Sequence, residues 1–448
     1  MAEVIKIKKG LDINLKGKAE KRIEGDIFPV DFGIRPDDFE GVIPRLAVKP
    51  GDHVLIGSEL FHDKEDLNLK VVSPVSGEVV AVNRGDRRKL LNVEIKSDGK
   101  FESAPFLKSV LSNLSPEQIS ECIFNAGFGA FIRRRPFDVI ANSNEKPNRI
   151  FISAFDSAPL GADYSFTLAG QEKNLQTGID ALKKMTGAPI YVGVNAADAA
   201  PFNNLNDVVK TVFDGPHPAG NVGVQINHTA PINKGDVVWT ISPVILAAIG
   251  KAFNEGVIDY SRTIALAGSE VIAPCYYKTI YGAKISALTN GKISNGVVRF
   301  ISGNPLTGTQ TTPEGYLGAF DNVISVIPET TEPEMFGWIM PRLKKFSTNK
   351  TYFSWLFGKK EYDIDTNVYG GERAIIVSNE YDKVFPMDIY PEYLIKAIIA
   401  QNIDKMIDLG VYEVAPEDFA LCEFVDTSKL KLQKIVREGL NYLRKEEA

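Results

Sequence analysis

Short apolar strings separated by turn residues fill the first hundred positions of the chain. The strings 46–61 (LAVKPGDHVLIGSELF) and 71–86 (VVSPVSGEVVAVNRGD) share one plan: a short strand, a turn and a second strand. Pro50-Gly51 and Ser76-Gly77 lie at the turns, where proline fixes φ and glycine permits a positive φ. Two such units packed face to face predict a β-sandwich over residues 1–100.

These paired units resemble the barrel-sandwich hybrid fold of biotinyl and lipoyl carrier domains, which hold a cofactor on a lysine at a hairpin tip. Lys64, in the string HDKEDLNLK, lies near that place, but the Met-Lys-Met of biotin carriers is absent. The sequence therefore favours a biotinyl/lipoyl-like fold without a carrier lysine. A lipoyl-like carrier or scaffold module stays open as an alternative function, with Lys64 as its attachment point.

Residues 101–256 alternate between apolar strings of strand length and stretches with helical spacing of apolar residues. Ser242-Pro243 supplies an N-cap and a first-turn proline to the last of these helices, which Gly256 ends. Such alternation indicates parallel strands in a Rossmann-like α/β domain. Strands are predicted at 149–155, 189–194 and 236–241, and helices at 168–185, 205–213 and 243–256.

Two further parts complete the predicted architecture. Residues 257–330 hold short apolar strings between glycines and predict a small β-grasp, SLBB-like domain. Residues 331–448 predict a linker and a C-terminal helical domain, with one helix over 391–410 and another after Asp426-Thr427. The predicted fold class is thus an α/β multidomain protein.

Composition and charge narrow the functional class. The 448 residues, 44% hydrophobic and 24% charged, are typical of a globular chain of about three domains. The net charge of −6 disfavours a dedicated nucleic-acid binder, which would be basic. The longest apolar run, residues 237–250, is shorter than the roughly 20 residues of a membrane helix, and the start has no apolar signal segment. We expect a cytoplasmic chain that reaches a membrane only through partner subunits.

Conventional cofactor and metal motifs are missing from the chain. Its three cysteines are too far apart for a disulfide framework or a metal site, and Cys422 alone cannot hold an iron–sulfur cluster. The string GFGAFI (127–132) has only the first two glycines of the GxGxxG dinucleotide fingerprint. Paired acids such as Asp37-Asp38 are interpreted as solvated surface charges. No catalytic residue and no metal ligand is predicted.

The string FIRRRPFD (131–138) is the strongest candidate site. A solvated basic turn is the plain interpretation. The functional alternatives are docking onto an acidic or membrane-facing partner, or binding of an anionic or aromatic ligand by guanidinium and ring faces. A second candidate, of unknown role, is His217, which lies between two prolines in DGPHPAG (214–220). The candidate residues of the first site are Phe128, Phe131, Arg133, Arg134, Arg135 and Phe137.

Several strings taken together resemble one protein family. They are IKIKKGLDINLKG (5–17), VKPGDHVLIGSELF (48–61), SPVSGEVVAVNRGDRRKL (73–90), RRRPFD (133–138), GPHPAGNVG (215–223), GGERAIIVSNEYDKVFPMDIYPEYL (370–394) and DFALCEFVDTSK (418–429). Almost end to end, the chain is similar to the A-subunit of the sodium-translocating NADH:quinone reductases (Na⁺-NQR) of bacteria. The resemblance implies a protein peripherally attached, through integral membrane partners, to the inner face of the cell membrane. The whole complex would oxidise NADH, reduce a quinone and export Na⁺.

The same resemblance places the redox groups elsewhere. FMN, riboflavin, FAD and an iron centre are expected in partner subunits, with no cofactor in this chain and a quinone as its ligand. Phe128, Phe131 and Phe137 would contact the quinone ring or tail, and the arginines 133–135 would polarise a quinone oxygen or bind acidic partner groups. Whether the quinone is ubiquinone or menaquinone is left open. A free-standing flavin- or NADH-binding oxidoreductase remains an alternative.

Family members often carry histidines and a Cys-Pro pair at positions where this chain differs. Gln225 and Asn227 replace the histidines, and Asp426-Thr427 replaces Cys-Pro. A metal or catalytic role at these positions is therefore not expected.

Overall fold

The structure is a computed structural model that describes residues 3–107, 111–197, 199–330, 342–343, 345–348, 352–357, 360–368 and 370–447. Residues 331–341, at the start of the expected linker, lie outside the described residues. The strands are β1 (Glu3–Lys6), β2 (Ile23–Asp26), β3 (Asp31–Ile34), β4 (Pro44–Leu46), β5 (His53–Val54), β6 (Glu59–Asp63), β7 (Lys70–Val72), β8 (Gly77–Arg84), β9 (Leu90–Ser97), β10 (Arg133–Arg135), β11 (Val139–Ile140), β12 (Arg149–Ser153), β13 (Ile190–Asn195), β14 (Val209–Asp214), β15 (Val238–Thr240), β16 (Ser261–Ala267), β17 (Cys275–Ile280), β18 (Val298–Ser302), β19 (Thr309–Thr311) and β20 (Val323–Pro328). The α-helices are α1 (Pro116–Asn125), α2 (Tyr164–Thr167), α3 (Glu172–Thr186), α4 (Val222–Thr229), α5 (Pro243–Glu255), α6 (Ile285–Thr289), α7 (Tyr381–Val384), α8 (Pro391–Ile399), α9 (Ile403–Asp408), α10 (Ala420–Val425) and α11 (Leu432–Glu446).

A seven-stranded sheet forms the centre of the α/β part, in the order β1-β14-β13-β12-β15-β10-β11. The first five strands are parallel to their neighbours, and β10 and β11 add an antiparallel edge. Alternation along β12 buries Ile150 and Ile152 in one core cluster and Phe151 in another, so both faces of the sheet are covered. The predicted Rossmann-like domain is confirmed.

Two glycines let the helices on one face of the sheet approach each other closely. A Cβ on Gly250 of α5 would lie 1.8 Å from the carbonyl oxygen of Asn174 in α3, and a Cβ on Gly178 would lie 2.4 Å from the Leu246 carbonyl oxygen. The ends of α5 are as predicted, because Ser242 accepts a hydrogen bond from the N–H of Val244 and Gly256 is left-handed.

The predicted barrel-sandwich is built from two small sheets. The order of one is β4-β6-β7 and that of the other is β3-β9-β8-β5. Buried residues from both sheets, among them Phe61 and Val93, share one apolar core. Lys64 is exposed at the start of the connection between β6 and β7. The fold is therefore that of a carrier domain, and a carrier function for Lys64 stays an untested alternative.

The third sheet, in the order β19-β18-β20-β16-β17-β2, makes up the predicted small mixed β domain. Its edge strand β2 comes from the N-terminus and pairs in parallel with β17. The first strand, β1, pairs in parallel with β14 of the α/β sheet. Residues 3–26 thus contribute one strand to the α/β sheet and one to the sheet of the small β domain, and the strands of the sandwich follow them in the chain. Both strands are four residues long and mostly exposed, so their sequences carry no alternation that would indicate a partner.

The structure corrects two of the predicted helices. Residues 205–213, expected to be a helix, contain β14, in which Thr211 and Phe213 are buried while their neighbours are more exposed. This period of two, together with the β-branched valines and threonine, outweighs the helical spacing of Leu205 and Val208. The helix expected over 391–410 is divided into α8 and α9, because Gln401 has a positive φ of 52° and Asn402 caps α9.

The C-terminal helices pack on the second face of the α/β sheet. Leu394 of α8 and Leu440 of α11 belong to the same core cluster as Phe151 and Phe213 of the sheet. No helix in the described part of the chain is long and apolar enough to cross a membrane.

Replacing Gly250 by alanine tests the close contact between α3 and α5. Helix propensity alone favours alanine by about 1 kcal/mol, but the added Cβ would overlap the Asn174 carbonyl oxygen. We therefore expect Gly250→Ala to lower the free energy of unfolding by about 1–3 kcal/mol, measured by urea denaturation. Glu255→Ala, on the half-exposed end of α5, should change it by less than about 0.5 kcal/mol. An unchanged or higher stability of Gly250→Ala would contradict the packing.

Candidate functional site

An open cleft of about 590 Å³ lies at the carboxyl ends of β12 and β15. From β12 the chain proceeds to β13 and β14 on one side of the sheet and then returns to β15 on the other side. The strand order therefore reverses between β12 and β15, which is where ligands of open α/β sheets bind. The walls come from three parts of the chain, including Ser153 of β12, Phe320 before β20 and Gln433 of α11.

The three arginines of β10 point in different directions. Because side chains alternate along a strand, Arg133 and Arg135 share one face and line the cleft. Arg134 faces away, with its Nε 3.1 Å from a carboxylate oxygen of Glu145. The guanidinium carbon of Arg133 lies 4.4 Å from the ring centroid of Phe320 at the cleft wall. The predicted basic string is thus no single exposed surface.

Arg135 is almost completely buried, with a side-chain exposure of 1%. Its guanidinium binds Glu417 at 2.8 Å and Asp418 at 3.3 Å, both from the segment before α10, and lies 3.8 Å from Asp138. A buried charge needs partners of this kind, because desolvation is costly. Arg135 therefore joins the edge of the α/β sheet to the C-terminal helices.

Asp138 and Asp418 differ in how many cations surround them. Burial raises the pKa of Asp138, but Arg133, Arg135 and Arg437 together hold it well below its usual value. Burial raises the pKa of Asp418, and the single partner Arg135 offsets this only in part. The Asp138 carboxylate is therefore the firmly charged member of the network.

The predicted phenylalanines are core residues. Phe128 and Phe131 are buried and pack against Tyr260, with ring centroids 5.2 and 5.8 Å away, and Phe137 packs against Tyr412. Of the three, only Phe131 lines the cleft. A role for all six candidates as one quinone or docking surface stays a prediction, and the geometry brings Phe131, Arg133 and Arg135 together.

The two-glycine string does not form a phosphate cradle. Residues Phe128–Phe131 form a buried 3₁₀ turn. A Cβ on Gly127 would lie 2.5 Å from the Val72 side chain, and one on Gly129 would lie 2.3 Å from the Phe124 ring. These glycines make room for apolar side chains, so a flavin or dinucleotide phosphate does not fit here.

Two carboxyl groups in the cleft, missed by the sequence reasoning, bind their protons unusually tightly. Burial raises the pKa of Asp38 to about 6, although Arg35 binds it at 2.7 Å, and burial likewise raises the pKa of Asp156 to about 6. Asp38, expected to be a solvated surface acid, accepts a hydrogen bond from the Ala319 N–H of the β domain. Only the fold could reveal this, because the residues that bury it lie far away in the sequence.

His217 borders the cleft and is 3% exposed. Its Nδ1 lies 2.9 Å from Ser157 Oγ, and its backbone N–H donates to Asp12. Burial lowers its pKa to about 4, so the imidazole is neutral near pH 7. The backbone of His217 also accepts a hydrogen bond from the Leu11 N–H. The backbone of His217 therefore holds Leu11 and Asp12 of the N-terminal segment beside the cleft.

The three cysteines are free thiols, and Cys422 is buried among the C-terminal helices. Within the described ranges, no group of three or more His, Cys, Asp or Glu side chains is arranged to hold a metal ion.

Gln225 is also buried, and its amide donates to Ser153 and to the Ala219 carbonyl.

The fold and the cleft define a multidomain α/β protein, in which a doubly wound sheet joined to a barrel-sandwich and a small β domain offers a binding cleft at its switch point. Three family models match the chain: the NqrA N-terminal barrel-sandwich hybrid domain at residues 5–98, the NqrA second alpha/beta domain at residues 114–258, and the NQRA C-terminal domain at residues 263–312.

Curated relatives match along their whole length. The A-subunit of the Na(+)-translocating NADH-quinone reductase of Yersinia pestis bv. Antiqua (strain Angola) is 35% identical over 447 residues, covering 99% of this chain and 100% of the relative. Its counterpart from Neisseria meningitidis serogroup A is 34% identical, covering 99% of this chain and 100% of the relative. The chain belongs to the A-subunit family of the Na⁺-translocating NADH-quinone reductases.

Among solved structures, an NAD⁺-reducing NiFe-hydrogenase in the H₂-reduced state matches at a TM-score of 0.35 and 14% identity, covering 50% of this chain and 49% of that one.

Replacing Arg135 by methionine tests the buried ion network. The change leaves Asp418 without its cation, so we expect the free energy of unfolding to fall by about 3–5 kcal/mol, measured by denaturant titration. Arg133→Met is the matched control: with 32% of its side chain exposed, it should cost about 1 kcal/mol or less. Equal losses in the two variants would argue against the central place of Arg135.

The raised pKa of Asp156 gives a pH-dependent prediction. Between pH 4 and 6 the folded chain holds a proton that the unfolded chain releases, so this carboxyl's contribution to stability is present at pH 4 and lost as the pH rises through 6. Asparagine keeps an acceptor for the Ala158 N–H but cannot ionise. Relative to wild type, Asp156→Asn should therefore gain up to about 3 kcal/mol between pH 4 and 7, measured by denaturation at each pH.

Asp163 provides a control of opposite sign. Burial raises its pKa, but hydrogen bonds from Lys21 and Ser165 leave it lowered overall. Asp163→Asn should therefore lose stability relative to wild type as the pH rises. If both variants showed the same trend with pH, the assignment of the buried proton to Asp156 would be wrong.

Proposed function

We propose that the chain acts as the A-subunit of a bacterial Na⁺-translocating NADH-quinone reductase, a complex that oxidises NADH, reduces a quinone and exports Na⁺. The observation that carries this proposal is the match of 35% identity that covers 99% of the chain and 100% of the relative. The chain serves at the periphery of the complex, attached to the inner face of the membrane through integral subunits.

The redox groups belong to partner subunits in this proposal. Two features of this chain support it: the glycines of residues 127–132 are filled by apolar contacts, and carboxylates outnumber cations around the cleft. A phosphate of FMN or FAD would meet like charge in the cleft, and the turn that follows Gly127 offers it no room. FMN, riboflavin, FAD and the iron centre are therefore assigned to the partners, and the interpretation of the chain as a free-standing flavoprotein loses support.

The cleft at the switch point is the quinone-facing site of this chain. A quinone is uncharged, so the negative lining does not exclude it. The Arg133 guanidinium, 32% exposed and lying over the Phe320 ring, offers N–H donors at the cleft wall to a carbonyl oxygen. Planar rings and guanidinium faces stack well on a flat ligand.

The cleft carboxyls suit the proton balance of quinone reduction. A quinone that accepts two electrons also takes up two protons, one on each carbonyl oxygen. Asp38 and Asp156 each have a pKa of about 6, close to neutrality, where a carboxyl can release and regain a proton. We assign them as proton donors, with the electrons arriving from a partner's redox group.

The test uses a strain that lacks this chain and is complemented with wild type, Arg133→Gln or Arg134→Gln. Wild type should restore Na⁺-dependent NADH:quinone reductase activity in membranes. Arg133→Gln should lower kcat/KM for the quinone by about 10- to 100-fold, because a charged hydrogen bond to the carbonyl oxygen is lost. Arg134→Gln, whose side chain faces Glu145, should stay within about twofold of wild type.

The outcomes separate the two parts of the proposal. Failure of wild type to restore activity would remove the assignment to the complex. Normal kinetics of Arg133→Gln, with normal amounts of assembled complex, would remove the quinone site from this cleft and leave the assignment intact.

A further inference from the structure

The segment of residues 342–360 has a charge opposite to that of the rest of the chain. It reads RLKKFSTNKTYFSWLFGKK and contains six basic residues and no acidic one. The whole chain has a net charge of −6, so the remaining residues are strongly acidic. A local charge of this sign, beside aromatic residues, is typical of a surface that meets an anionic partner.

One ring contact joins this segment to the C-terminal helices, and two hydrogen bonds join its described parts to each other. The Phe346 ring packs against Phe424 of α10, with centroids 5.8 Å apart. Ser354, 1% exposed, donates a hydrogen bond of 2.5 Å to the Lys345 carbonyl. Lys360 Nζ bonds the Leu343 carbonyl oxygen at 3.1 Å. The two hydrogen bonds therefore hold Leu343 and Lys345 close to Lys360 and Ser354.

Large apolar side chains on these stretches face outward. They are the side chains of Leu343 and of Phe353, Trp355 and Leu356, the last three in the 3₁₀ turn Phe353–Phe357. Because Ser354 points inward, its neighbours project into solvent. The exposed fractions are 51% for Leu343, 50% for Phe353, 46% for Trp355 and 59% for Leu356. Exposed aromatic and leucine side chains within a basic sequence form what we call the basic apolar patch, comprising Leu343, Lys345, Phe353, Trp355, Leu356 and Lys360.

The kind of cation indicates the kind of partner. Five of the six basic residues of 342–360 are lysines and one is arginine. Protein–protein interfaces are enriched in arginine and depleted in lysine. At a bilayer surface, lysine stems cover apolar groups while the ammonium reaches the anionic headgroups, and tryptophan lies at the headgroup level. The composition therefore favours lipid over a protein partner.

The geometry points to the basic apolar patch as a contact site for an anionic lipid bilayer. Phe353, Trp355 and Leu356 enter the headgroup region, and the positive charge of residues 342–360 attracts the lipid phosphates. This proposal holds whether or not the cleft binds a quinone.

The experiment is cosedimentation of the purified full chain with vesicles of phosphatidylcholine, with and without one third phosphatidylglycerol. We expect binding to the anionic vesicles, at least tenfold weaker binding to pure phosphatidylcholine, and loss of binding as salt rises to 0.5 M. Phe353→Ser/Leu356→Ser should lower the partition coefficient for the anionic vesicles at least tenfold. Circular dichroism and gel filtration confirm that the variant is folded.

A matched control removes exposed apolar groups elsewhere. Ile272 and Val297, 68% and 69% exposed, lie in the β domain, and Ile272→Ser/Val297→Ser should bind vesicles like wild type. Equal loss in both double variants would overturn the assignment to this patch. Absence of vesicle binding, or binding only to membranes that hold the integral partner subunits, would overturn the lipid proposal.

Discussion

The buried guanidinium of Arg135 is the constraint on which the architecture depends. A cation that is 1% exposed is tolerated only if carboxylates come to it, and these come from Asp138 nearby and from Glu417 and Asp418, some 280 residues further on. These ion pairs hold the segment before α10 against the edge of the α/β sheet. One wall of the cleft is therefore positioned by charge compensation, and the core formed by Phe151 and the C-terminal helices reinforces it.

The same network explains which parts of the site could be predicted from sequence. Local patterns were sufficient for β12, β13 and β15 of the α/β sheet and for α5, whose capping residues lie next to the helix, but not for β14, which was expected to be a helix. The arginine string was selected as a candidate site, but Glu417 and Asp418, which bind Arg135, are distant in sequence, so the string was interpreted as solvated or ligand-facing and its burial was not expected. Asp38 was missed for the same reason, since the β domain buries it. The strands of residues 3–26 are short edge strands, and their positions in the sheets are known only from the strands that they pair with.

Electrostatics also decides what the cleft can hold. A doubly wound sheet usually offers free backbone amides at its switch point to a phosphate. In this chain carboxylates outnumber cations around the cleft, and the glycine turn before β10 is filled by Phe128 and Phe131. The acidic lining, with two carboxyls whose pKa is raised to about 6, makes the cleft better suited to an uncharged ligand than to a phosphate.

The distribution of charge then sets how such a protein approaches a membrane. The stretch 342–360 is entirely basic in its charged residues, whereas the rest of the chain is acidic enough to leave a net charge of −6. An anionic surface attracts the stretch 342–360 and repels the acidic remainder of the chain, so the chain is oriented before any specific contact forms. At physiological salt this effect acts within about 10 Å of the surface, because ions screen the charges beyond that distance. The proposed quinone-facing cleft has an acidic lining and the proposed lipid-facing patch a basic one, so an anionic surface attracts the patch and not the cleft, and the two roles are compatible on one chain.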